Sequence, residues 1–180
     1  MNFKELIKAI RFDLKNGEKI TLKFIISSFL FDLSFRLLLN YRIGKYLNNS
    51  KWKIVRLIAI RFKNKQLTKR NCQISFNATI GKGVKFAHPM GIVIGDGVVI
   101  KDDVTIWQQV TLGSHGKKGQ VLGYPIIENN TKIFAGAKIF GRITIGKRAI
   151  IGANAVVLKN VPDECTAVGI PAQIIHLKNI

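Results

Sequence analysis

Cysteine is scarce. Cys72 and Cys165 are the only two in 180 residues, so there is no disulfide framework and no CxxC zinc site. A reducing compartment, the cytoplasm, is the expected setting, with both thiols structural. Acidic residues are also few: 10 Asp+Glu stand against 29 Lys+Arg, a formal charge of +19. Such an excess calls for an anionic partner, whether nucleic acid, a lipid surface or a phosphorylated small molecule. No base-reading motif is visible, which argues against nucleic acid. Long hydrophobic runs are missing. The longest uncharged stretch near the N-terminus is Phe24 to Phe31, too short to cross a bilayer. Met1 to Lys19 mixes charge with apolar residues and has no small-residue cleavage site, unlike a signal peptide. At 47% apolar residues, the chain can still bury a substantial core.

The charge and the apolar periodicity divide the chain into residues 1–72 and 73–180. The first part has 17 basic and 4 acidic residues, the second 12 and 6. Residues 1–72 read as helices. Phe3, Leu6, Ile7, Ile10 and Leu14 have helical spacing, with Gly17 as a stop. Lys23 to Leu47 is a second apolar stretch, in which Leu30, Leu33, Leu37 and Tyr41 are expected to share a face. Trp52 to Phe62 is a third candidate. This basic segment is either a cap packed on the rest or a surface resting on an anionic membrane, and both can hold.

Residues 73–180 carry a six-residue repeat. Ile74, Ile80 and Phe86 are six apart, and Ile94, Ile100, Ile106 and Leu112 continue after an eight-residue step. Ile127, Ile133, Ile139, Ile145, Ile151 and Val157 resume after a longer break. A second set follows four positions on: Ala78, Val84, Val98, Val104, Val110, Ala137, Ala149 and Ala155. A period of six fits no helix face and no flat sheet. It fits a parallel β-helix, in which three hexapeptides make one coil and the large residue points inward. About five coils are expected. The loop 113–126 leaves the repeat, and a short tail follows it at the C-terminus.

The run Ile80-Gly-Lys-Gly-Val-Lys-Phe-Ala-His-Pro-Met-Gly-Ile-Val-Ile-Gly resembles the active-site segment of serine acetyltransferases. Gln109-Val-Thr-Leu-Gly, Ala135-Gly-Ala-Lys, Ile151-Gly-Ala-Asn-Ala-Val-Val and Val168-Gly-Ile-Pro-Ala continue the resemblance in order, over about residues 73–175. These are motifs of the hexapeptide-repeat acyltransferases. The resemblance implies a left-handed parallel β-helix and a homotrimer, leaving open whether trimers pair into hexamers. It implies acetyl-CoA as co-substrate, held between neighbouring β-helices, and no metal. His88 becomes the general base, because a hydroxyl must lose its proton to a neutral imidazole as it attacks a thioester. Gly113 is implied as oxyanion donor, and with Ala135 and Ala153 as a backbone contact of CoA. Lys138, Lys147, Arg148 and Lys159 are candidates for the CoA phosphates, against a reading of each as a solvated charge. The three histidines His88, His115 and His176 do not match the zinc-binding pattern of a γ-class carbonic anhydrase.

The sequence also departs from the serine acetyltransferase pattern. Ala87 stands before the histidine where those enzymes carry Asp. Gln73 stands where an Asp orients the imidazole, and Tyr124 where the loop carries a second His. Gln73 and Tyr124, with Trp107, Gln108 and His115, form the acceptor-side candidates. Trp107 follows an inward Ile and should face outward, as interface packing or as a stacking surface. The short, basic N-terminal segment resembles that of serine-acetyltransferase-like proteins that O-acetylate sugars, and with the missing acids this resemblance implies a sugar acceptor in a capsular, O-antigen or exopolysaccharide pathway, acetylated at the inner face of the plasma membrane. The alternative is a serine O-acetyltransferase of cysteine biosynthesis.

Overall fold

The computed structural model describes residues 2–14, 21–116 and 122–175. Gly17, the loop lysines Lys117 and Lys118, His176 and the tail 176–180 lie outside them.

Four helices come first: α1 (Phe3–Leu14), α2 (Leu22–Phe31), α3 (Leu33–Asn48) and α4 (Lys53–Arg70). Asn2 and Glu5 exchange hydrogen bonds with each other's backbone N–H at 2.9 Å, a capping box that starts α1. The apolar stretch expected as one element is two helices. The Asp32 carboxylate accepts the Phe35 N–H at 2.9 Å, so Asp32 ends α2 and caps α3. This corrects the shared face. Leu37 and Tyr41 are fully buried, but Leu30 and Leu33 lie on either side of the break and stay exposed. α4 runs eight residues beyond the expected Phe62 and closes on Asn71 in the left-handed region, φ 49°.

From Gln73 the chain winds into a left-handed parallel β-helix of five coils. Each hexapeptide gives a strand of two or three residues. The first face stacks Ile74, Ile94, Leu112, Ile139 and Val157 in register. The second stacks Ile80, Ile100, Ile127 and Ile145, with Val161 bridging last. The third stacks Phe86, Ile106, Ile133, Ile151 and Ala167. All thirteen repeat positions read from the sequence are buried, as are all eight small or β-branched ones. The inward ladder leaves no room for a polar side chain, so an apolar residue is needed at every sixth position.

The first coil is closed by α3 and α4 rather than by another coil. Tyr41 donates its hydroxyl to the Ala78 carbonyl at 2.6 Å, and the Gln66 side-chain carbonyl accepts the Ile74 N–H at 2.9 Å. Arg42 donates to the carbonyls of Ile80 and Gly81, each at 2.6 Å, and pairs with Asp13 of α1 at 3.0 Å. Burial pushes the Asp13 carboxyl above the usual range against the pull of Arg42. Gly44 lets α3 sit close, since a Cβ there would meet the Phe76 ring at 2.2 Å. At the other end, Thr166–Val168 pairs antiparallel with Gln173–Ile175 as the chain doubles back.

Candidate active site

Three edges run along the β-helix, and the hexapeptide phase decides which residues share one. The first edge lies between faces one and two, the second between faces two and three. The third carries the chain from face three into the next coil.

His88 is on the third edge. The strand continues through Ala87, whose N–H donates to the Ile106 carbonyl at 2.9 Å. His88 then turns the chain with φ 53°, in the left-handed region that a non-glycine residue rarely adopts. Gly91 donates its N–H to the Asn71 carbonyl at 2.8 Å, which closes the turn against the end of α4. The eight-residue step between Phe86 and Ile94 therefore bulges out an exposed imidazole beside the helical cap. A cavity of about 410 Å³ opens there, lined by Leu33, Thr68 to Asn71, His88, Pro89 and Met90.

The cap thus supplies much of the cavity wall, which the repeat pattern gives no means of anticipating. Arg70 is half-buried. Burial first, and then the neighbouring Arg36, push its pKa down. The ion pairs Arg42–Asp13 and Arg148–Glu164 involve no residue of this cavity's wall. With Lys69 also in the wall, the cavity presents His88 beside two cations.

The other predicted positions divide among the edges. Trp107, Gln108, Ala135 and Ala153 lie on the third edge with His88, in successive coils. Trp107 faces outward and stacks on Phe134, ring centroids 4.4 Å apart. The Gln108 side-chain oxygen is buried without a hydrogen-bond partner. Gln73 is exposed at the start of face one, just after the α4 cap. Gly113, His115 and Tyr124 lie on the first edge instead. The Tyr124 ring covers Gly95 and Gly97, where a Cβ would come within 2.9 and 2.3 Å of it. His115 lies over Gly141, where a Cβ would sit 2.1 Å from Nε2. One chain therefore does not bring His88 together with Gly113, His115 or Tyr124.

The phosphate candidates scatter as well. Lys147 and Arg148 are on the second edge, away from Ala135 and Ala153, and Arg148 is paired with Glu164. They do not form a cluster with the other two, because Lys138 stands on face one and Lys159 on the first edge. Lys138 donates to the Gln109 carbonyl at 2.6 Å. Lys159 lines a cavity of about 320 Å³ at the C-terminal end, with Pro171 and Gln173. Cys72 and Cys165 are both buried, and no disulfide joins them. No group of His, Cys, Asp or Glu among the described residues could hold a metal ion.

Residues 124–159 match the family of bacterial transferase hexapeptide repeats, described as six repeats. The serine acetyltransferase of Buchnera aphidicola from Schizaphis graminum is 39% identical over 178 residues, 97% of this chain and 67% of its own length. That of Escherichia coli K12 is 42% identical over 141 residues, 78% of this chain and 50% of its own length. A solved serine acetyltransferase in complex with CoA superposes with a TM-score of 0.79 at 35% identity, covering 96% of this chain and 71% of that one. The chain spans 44% to 67% of the length of the first curated relatives it matches. These relatives are serine enzymes, and this overturns the expectation of a sugar acceptor. The missing acids at Ala87 and Gln73 do not signal a change of substrate class, because the similarity runs through 97% of the chain, helices included. By this continuous similarity of sequence and fold, the chain belongs to the serine acetyltransferase family of hexapeptide-repeat transferases.

Proposed function

We propose that the protein is an acetyl-CoA-dependent O-acetyltransferase whose acceptor is L-serine. The observation that carries this reading is the exposed His88, held on a left-handed turn in a cavity with Arg70 and Lys69. The imidazole takes the proton of the serine hydroxyl as its oxygen attacks the thioester carbonyl. The tetrahedral oxyanion accepts the Gly113 N–H, and its collapse expels the CoA thiolate. The proton on His88 passes to that thiolate, leaving O-acetylserine and CoA.

Gly113 serves this step from a neighbouring copy. His88 and Gly113 occupy different edges of one chain, so a threefold assembly that sets the first edge of one copy against the third edge of the next completes the site. Trp107 and Phe134 then belong to the interface, and Ala135 and Ala153 flank the CoA arm.

The acceptor is gripped differently from the family pattern. With Ala87 and Gln73 in place of carboxylates, its ammonium group meets no acid at those two positions. Recognition rests instead on its carboxylate, to which Arg70 offers a planar pair of donors.

The test is CoA release from acetyl-CoA with L-serine, by wild type and His88→Ala. The expected loss is about 10²- to 10⁴-fold with an unchanged oligomer. No turnover of L-serine by the wild type would overturn the acceptor, and near-wild-type turnover by His88→Ala would overturn the base.

A further inference from the structure

α2 has a surface that the chain itself does not cover. None of its ten residues is buried. Ile26, Phe29 and Leu30 are each about half exposed, and Phe31 is 80% exposed. Leu33, just past the Asp32 break, is 57% exposed and extends the apolar surface. A helix apolar on nearly all sides belongs in a core or in lipid, not in water. α2 is too short to cross a bilayer, and no helix among the described residues is long and apolar enough to do so.

Charge decides what covers it. Lys23 is the only charged residue within α2, and no acid occurs in its first turn. Residues 1–72 as a whole carry 17 basic residues against 4 acidic ones. A second copy laid against this face would bring up an equally cationic segment. An anionic lipid surface instead neutralises the cations while its acyl boundary takes the apolar side chains. We infer that α2 is a peripheral membrane-docking helix, lying in the interface of an anionic bilayer with Ile26, Phe29, Leu30 and Phe31 inserted. α4 adds to the same segment, with Trp52 and Ile54 each 75% exposed and Lys53 and Arg56 among them. The inference concerns where the enzyme sits and is independent of its acceptor.

The experiment is co-sedimentation of the full chain with vesicles of phosphatidylcholine containing phosphatidylglycerol, and with vesicles of phosphatidylcholine alone. Wild type and the double variant Phe29→Ser, Leu30→Ser are compared. Circular dichroism and light scattering report helix content and mass. Binding is expected on the anionic vesicles only, to weaken with added salt, and to fall at least about tenfold in the double variant with helix content and mass unchanged. Absence of wild-type binding to the anionic vesicles overturns the inference. So does undiminished binding by the variant. A variant that loses mass instead of vesicle affinity assigns the face to a second copy and also overturns it.

Discussion

The β-helix and the helical cap handle their apolar residues in opposite ways. In the β-helix each repeat side chain points into one continuous ladder, and the outer surface is left to polar residues and turns. In the cap only α3 is well buried. Of the 25 large apolar side chains exposed among the described residues, 16 lie in residues 1–72, the smaller part of the chain. The β-helix is the scaffold that sets the edges. The cap is held by directed bonds and by Leu37, Leu38, Tyr41 and Ala59, which extend the same core, yet it turns much of its apolar surface outward. Periodic burial makes a rigid platform, whereas a cap anchored mainly through α3 leaves its other helices with faces for other purposes.

The largest expected effect breaks the attachment. Arg42→Ala removes the bonds to Ile80 and Gly81 and leaves Asp13 as an uncompensated buried carboxylate. The expected cost is about 3–5 kcal/mol, read by denaturant unfolding, with early proteolysis in α1. A change below about 1 kcal/mol, the range of a surface ion pair, would mean that the cap is held by other contacts.

Next comes a direct comparison of the two regions. Ile133→Ala empties part of the third-face ladder and is expected to cost about 2–5 kcal/mol. Leu30→Ala, on the uncovered face of α2, should stay within about 0.5 kcal/mol in vesicle-free buffer. Equal losses at the two sites would show that the α2 face is packed in solution.

The smallest effect sharpens the comparison by making the cap part of the site. Arg70→Gln should raise the KM for L-serine about tenfold, or about 1.4 kcal/mol. The KM for acetyl-CoA should not change, because none of the proposed cofactor contacts Gly113, Ala135 and Ala153 lines the cavity that holds Arg70. Equal KM values for L-serine would show that Arg70 only shapes the wall.

The β-helix is legible in the sequence because its physics is local and repetitive. Each of the thirteen inward positions needs an apolar residue whatever the other coils do. His88 stands out for the same reason, since it falls where the register slips. The cap obeys no such rule. Leu30 and Leu33 look like part of one amphipathic stripe until the capping role of Asp32 splits the helix between them. The contributions of Leu33 and Arg70 to the cavity depend on how the helices dock on the first coil, and no spacing encodes that. The sugar reading failed for a related reason. Ala87 and Gln73 taken alone look like lost chemistry, whereas the similarity to serine acetyltransferases runs through 97% of the chain and does not depend on two positions.

The closed first coil has a consequence for the size of the assembly. A parallel β-helix has no intrinsic stopping point, because each coil exposes a row of hydrogen-bonding groups on which another can build. Here α3 and α4 occupy that row at one end with Tyr41, Arg42 and Gln66. The antiparallel return at Gln173–Ile175 blocks the other. The two plugs act as terminators against fibre growth, so the cap's bonds to the first coil limit polymerisation as well as fastening the helices.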